Sequence, residues 1–518
     1  MNRTTRREVL ADIGKGMLTT SIGAGLASEI GISHALADGD SKTINFGHLE
    51  PLVEMMQVNS ADKMLPLVIS AVNKGTSTKD VVAAAALANA RTFGGEDYIG
   101  FHAFMAMAPA YQMTRELPSN KSLLPVLKVL YRSTNQIQAK GGKAAETLHN
   151  LEASPVAMSG SFASNLRDAA RRGDMSTSES IFDVAFQQSP KQAYDAIQAL
   201  AHDDTDVHRV VLTYRAWDLL GLTGMEYAHT SLRQTVHYAV TTEARRIKAG
   251  YPESGIRKTL PLLIDRYRLT DIKFGRKTGD DKWINELCST MLNSSPDDSA
   301  NAMAHAIQDG YSHASVGEAL SLASTRRVLT DPGRSVAYPG KPIGSVHGDS
   351  VGVHASDSSN AWRNISKYCN ETNAVLGMVV GAYHLTIATQ NDWRSRQPYD
   401  VFEHAEKTVV SDPGSMLKQL DGAIRENRQA QAAAIVKQYV ISNHAERPLF
   451  DLLLKFAISE DGALHAEKYY RTVAEEYART RKSLRWEHLA ALARVTASEY
   501  GKRADGYELA CDILKVSS

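Results

Sequence analysis

Residues 301–324 read NAMAHAIQDGYSHASVGEALSLAS. Met303 and Ile307, then Val316 and Leu320, recur at the spacing of a helix with one buried face. The spacing predicts a single helix across 301–324. It also places His305, Asp309 and His313 at i, i+4 and i+8, drifting about 40° per step, so the three form one stripe. Two imidazoles flanking a carboxylate on one face can bind a transition metal or relay protons. The plainer alternative is a solvated polar stripe with His313 hydrogen-bonded in the core.

The same period recurs on both sides. STKDVVAAAALANAR (77–91) opens with a Ser77 or Thr78 cap and Asp80 in the first turn. Helices are also predicted at 189–201, 207–222, 225–247, 415–440 and 464–481, and from AWRNISKYCNETNAVLGMVVGAYHL at 361–385. Alternating period-2 runs with turn dipeptides are nearly absent, so the fold class is all-α. Short Gly, Asp or Pro punctuation suggests helical hairpins stacked around a cavity, with no fixed repeat period.

One stretch breaks the pattern. TDPGRSVAYPGKPIGSVHGDSVG (330–352) carries Pro332, Pro339 and Pro342 among five glycines, which forbids a regular helix. Long irregular loops inside compact domains tend to be functional. This one leads into His347, Asp349, His354, Asp357 and Asn360. The expected arrangement has the loop delivering His347 and Asp349 to the mouth of a cavity. His354 and Asn360 then stand at the start of the following helix, whose N-terminus favours an anion. The His305–Asp309–His313 stripe faces them. On this reading His305, Asp309, His313, His347 and His354 are the catalytic candidates, and His305, His313, His347, Asp349 and His354 the candidate metal ligands. Iron or another transition metal is the cofactor such a set suggests.

Other groupings carry weaker signals. Glu226 and His229 make a single ExxH pair, with His237 two turns on; a di-iron bundle needs two such pairs and further carboxylates. AHDDTDVH (201–208) reads first as capping of the helix from Val207. In 94–113, Asp97, Tyr98 and His102 open an apolar helix whose Met105, Met107 and Met113 read as core filler.

With 518 residues, 43% of them hydrophobic, the chain can bury more than one core. Basic and acidic residues balance at 58 each, so nothing suggests nucleic acid as a partner. Cys288, Cys369 and Cys511 lie far apart, excluding a zinc ribbon or a disulfide framework. Residues 1–37 read as a twin-arginine-type signal: paired Arg6 and Arg7, a moderately apolar run from Ile13 to Ile32, and Ala35-Leu36-Ala37 ahead of Asp38. Lys15 and Glu29 make that run too polar to span a bilayer stably. The alternative is a basic amphipathic helix in the cytoplasm. Cleavage removes four basic and three acidic residues, leaving the remainder near −1. The expected organisation is this leader, then an exported body over 38–518 with a soft division near 275–300. A periplasmic protein with the twin-arginine export machinery as partner follows.

The stretch from His305 to Leu320, taken with 354–365, resembles the questin oxidase-like family. His305, Ile307, Gly310, Tyr311, Glu318, Ala319 and Leu320 match its first segment; His354, Ala361 and Arg363 match its second. Asp309 stands where the family has a second histidine, and Asp357 where it has threonine. The resemblance implies a helical oxidoreductase acting on a small phenolic or polycyclic substrate with O2, and NADPH as reductant. No nicotinamide or flavin fingerprint is readable in the chain itself. The rival readings are a metal-dependent hydrolase using the same ligands and a non-catalytic helical binding protein.

Overall fold

The structure, a computed structural model, describes residues 43–151, 156–387, 399–406 and 412–517. The expected leader at 1–37 lies outside the described residues. The protein is all-α. Among the described residues, extended pairing is confined to isolated bridges such as Lys277 with Tyr311 and Glu460 with Arg503. No described helix is long and apolar enough to cross a membrane.

The chain divides into two compact units. The first comprises the described residues among 1–154, 216–234 and 505–518. Its central helix, Thr78–Phe93, is buried on every side from Val81 onward. Ser77 caps it, accepting from the Asp80 amide at 3.0 Å. Arg91 is tolerated within this core because each end of its guanidinium has a partner. It donates to Gln57 Oε1 at 2.6 Å and pairs with Glu50 at 2.7 Å and Glu146 at 2.9 Å. The next helix, Tyr98–Met113, is capped by Asp97 and buries Met105, Met107 and Met113 as expected of core residues.

The second unit takes the described residues among 155–215 and 235–504, and the 275–300 stretch lies inside it. Eight of its helices matter to the site. In chain order they are α1 (Val207–Asp218, to 215 in this unit), α2 (Ala228–Ala249, from 235) and α3 (Pro296–Gln308). Then come α4 (His313–Leu329), α5 (Val351–Ile365), α6 (Glu371–Leu385), α7 (His465–Arg479) and α8 (Trp486–Glu499). Helix α4 packs on α5, α6 and α8, and α5 packs on α4, α6 and α7. Both central helices are buried nearly all round.

Their close approach depends on small residues. A Cβ at Gly377 would stand 2.6 Å from the Trp362 ring, and one at Gly381 3.0 Å from it. Trp362 is 2% exposed, and its ring is stacked on His202 at 5.2 Å. Across the α4–α5 seam, Ser324 and Ser359 hydroxyls meet at 2.6 Å.

The predicted helix across 301–324 is two helices. Chain reversal begins at Gly310, whose φ of +85° ends α3 in the left-handed region that favours glycine. Its amide returns to Ile307 O at 3.0 Å, and Tyr311 N to Ala306 O at 3.3 Å. Ser312 then caps α4, its hydroxyl accepting from Ser315 N at 3.2 Å. The break is clamped by Ser312 N on Lys277 O at 2.9 Å. The Gly stop and Ser start outweigh the apolar period. The same happens in 415–440, which divides into Pro413–Arg425 and Gln429–Ile441 around Asn427 at φ +54°. Likewise the helix expected at 361–385 is the end of α5 and the whole of α6, with Asn370 capping the second.

Candidate active site

The chemistry of the second unit centres on the N-terminal half of α5. Ser350 caps that helix, and His354 lies in its first turn. Asn360, expected at a helix start, is mid-helix instead and donates to Glu475 at 3.0 Å and Glu476 at 2.8 Å. On α1, the Asp206 carboxylate does two jobs. It accepts from the His208 amide at 2.9 Å, the capping read from the sequence, and holds His208 Nδ1 at 2.9 Å. Its other oxygen accepts from the Tyr238 hydroxyl. Burial alone would raise this carboxyl, but His208, Tyr238 and Arg209 more than offset that and hold it well below the usual range.

The His208 ring stands edge-on to the His354 ring at 5.7 Å, and His354 is 5.7 Å from His465 on α7. His354 Nε2 is buried with no hydrogen-bond partner. Burial pushes His354 down to about 3, helped by the positive charge of neighbouring groups including His208 and Lys468. His384 on α6, hydrogen-bonded through Nδ1 to Ser358 Oγ at 3.1 Å, is pushed by burial to about 4. Protein therefore surrounds this cluster closely. Yet Asp206 keeps 25% and His208 16% of their side-chain surface accessible, and His354 and His384 are only half-buried. Close surroundings with surface still accessible are what side chains lining a narrow recess would show.

One turn along α5, Asp357 accepts from Thr472 Oγ1 of α7 at 2.7 Å. Burial raises this carboxyl, with Lys468 opposing. Lys468 follows His465 by three positions, so the His354/Asp357 pair on α5 meets a His465/Lys468 pair on α7.

The irregular loop does reach this cluster. Asp349 is bound by Arg334 at 2.5 Å and Lys341 at 2.6 Å; burial opposes its ionisation, but these cations lower it to about 2. His347 is buried, 4.0 Å from Glu499 Oε1, and lowered by burial to about 4. Gly348 donates its amide to the same Glu499 oxygen at 2.8 Å. A Cβ at Gly348 would meet that of His465 at 2.3 Å, so a side chain there would push the loop off α7.

The expected stripe does not join them. His305 and Asp309 pair at 3.3 Å on the surface, 60% and 47% exposed. His313 begins α4 and bonds Ser366 Oγ at 2.8 Å, just beyond the last turn of α5. His354 lies a dozen residues back along that helix, about 18 Å away. Burial, with Arg363 and Arg479 near, lowers His313 to about 4. The stripe required an unbroken helix, and the Gly310 reversal removes it. The expected five-residue metal set is therefore not assembled. Among the described residues, no three His, Cys, Asp or Glu side chains are placed to hold a metal ion.

Asp206, Tyr238, His384, His465 and Lys468 escaped the sequence reading as site residues. The signal available for the first was AHDDTDVH, where capping accounted for the acids. His237, from the ExxH neighbourhood, pairs with Glu179, while Glu226 sits exposed in a separate 3-10 turn. Compared with known proteins, the chain matches no family model, no curated protein and no solved structure.

Proposed function

We propose that this protein is an enzyme in which His208, oriented by Asp206, takes a proton from a hydroxyl of a small phenolic or polycyclic substrate. The observation that carries the reading is the Asp206–His208 pair facing His354, a ring kept neutral by burial. A carboxylate fixed on Nδ1 sets the imidazole's tautomer and steadies its protonated form, which is what a general base needs. Tyr238 holds the carboxylate's second oxygen, so the pair is rigid. His354, neutral and without a partner on Nε2, offers a polar contact for the same hydroxyl or its neighbour. Removing that proton makes the ring electron-rich ahead of the oxidation that the questin oxidase-like resemblance implies, for which that family uses molecular oxygen with NADPH as reductant. The reading includes export to the periplasm, supported by Arg6-Arg7 and the Ala35-Leu36-Ala37 site.

The test uses a hydroxyanthraquinone, whose visible band moves to longer wavelength on ionisation. Bound to the protein near pH 7 it should show the phenolate band, and bound to His208→Gln the neutral band. A neutral band with the unaltered protein, or a phenolate band surviving His208→Gln, overturns the proposal.

A further inference from the structure

We infer that Lys468 is a nucleophilic amine that forms an imine with the carbonyl group of a small aldehyde or ketone. Lys468 is 3% exposed, yet among the described residues no ion pair to its ammonium is found. A buried lysine usually survives only with such a partner. The carboxylate that acts on it most strongly, Asp357, accepts instead from Thr472 Oγ1 at 2.7 Å. What surrounds Lys468 is chemistry of the kind an imine needs. Asp357 and His354 sit one turn apart on α5, with His465 one turn away on α7 itself. Arg215 adds a second positive charge and Glu467 a negative one. Burial is the main cause that lowers the amine to about 8, so a useful fraction is neutral near pH 7.

The step is redox-neutral. The Nζ lone pair adds to the carbonyl carbon, forming the C–N bond as the C=O π pair moves to oxygen. Asp357 relays one of the two Nζ protons to that oxygen, giving a neutral carbinolamine. The nitrogen lone pair then forms the C=N bond as the C–O bond breaks, the second Nζ proton passes through Asp357 to the departing hydroxyl, and water leaves a neutral imine. The inference rests on the recess beside His208 and His354 being open to small molecules, and adds a second reactive group to it.

The experiment treats the full chain with acetaldehyde and sodium cyanoborohydride at pH 7, limiting reagent, and locates N-ethyl-lysine by peptide mass spectrometry. Lys468 should be ethylated at least about tenfold faster than the exposed lysines, in the unaltered protein and in His208→Gln alike. Diethyl pyrocarbonate labelling of His208 reports separately whether the recess is open. Slow ethylation of Lys468 with rapid labelling of His208 overturns the imine and leaves the base. Neither residue reacting overturns both. Lys468→Arg, which keeps the charge, should show no fast-labelling peptide; a fast site elsewhere in that variant counts against the assignment.

Discussion

Asp206 is the residue on which the site's electrostatics turn. It binds a backbone amide, an imidazole nitrogen and a tyrosine hydroxyl with one carboxylate, so its charge is compensated on every side. Asp206→Asn preserves size and an oxygen for the cap but removes the charge that steadies a protonated His208. With the hydroxyanthraquinone probe, the bound phenolate fraction should drop about tenfold, while the far-ultraviolet dichroism stays unchanged. An unaltered phenolate band in this variant would show that Asp206 acts only as a cap. His354→Ala addresses the other wall. It removes a ring that burial keeps neutral, so the phenolate fraction should change little while affinity for the probe weakens, measured by titration of the same band. The sequence named His354 because it stood in a Gly- and Ser-rich segment too polar for ordinary core. His208 is hidden in the sequence because an acidic turn before a helix is usually a cap. Here it is a cap and a base-holder together, which composition could not distinguish.

At the scale of the element, the centre of the second unit is a pair of polar-faced helices brought together by glycine. Gly377 and Gly381 let α6 lie against Trp362 of α5, which in turn sets the height of Asp357 and His354, one and two turns earlier respectively. Gly377→Ala forces a methyl to within 2.6 Å of the indole, and the overpacking should cost about 1–3 kcal/mol in chemical denaturation. Because the strain falls on the α5–α6 seam, the probe's phenolate band should weaken too. Gly310→Ala tests a different element boundary. Nothing stands within 4 Å of the added Cβ, so only the left-handed backbone is strained, at about 1–2 kcal/mol. Its effect on the bound probe should be negligible, since His305 and Asp309 lie outside the site. A strong loss of the phenolate band in Gly310→Ala would return those residues to consideration. The stop and start signals at this boundary, Gly310 and Ser312, were present in the sequence, as were Ser77, Ser189 and Asp97. At 301–324 that punctuation overrides the apolar period, and without an unbroken helix there is no stripe.

Across the described residues, burial lowers six imidazoles. Burial lowers His202, His313, His347, His384 and His488 to about 4 and His354 to about 3. Each is depressed in the folded state, so below about pH 6.5 the unfolded chain binds protons that the folded chain refuses. Stability is therefore full above that pH and falls as pH drops from about 6.5 toward 4. Below that, Asp349 and Glu475, both held near 2, lose their own contribution in the same direction. Unfolding free energies from denaturant titrations at pH 7.5 and 5.0 should differ by at least about 2 kcal/mol; equal values would mean these rings are hydrated or paired. Export is tested on the living cell: replacing Arg6 and Arg7 by lysine should leave precursor in the cytoplasm, and unchanged export would exclude the twin-arginine route. By itself the sequence determined the helical class, most helix starts and the irregular character of 330–350, because period, capping and proline chemistry are properties of a few consecutive residues. Only the tertiary structure decided which histidines meet. His208, His354 and His465 come from three distant helices, and His305 and His313, eight positions apart, point to different surroundings. The reason is that contact between helices is set by packing at glycines and by one chain reversal, neither of which leaves a periodic trace in the residues that finally touch.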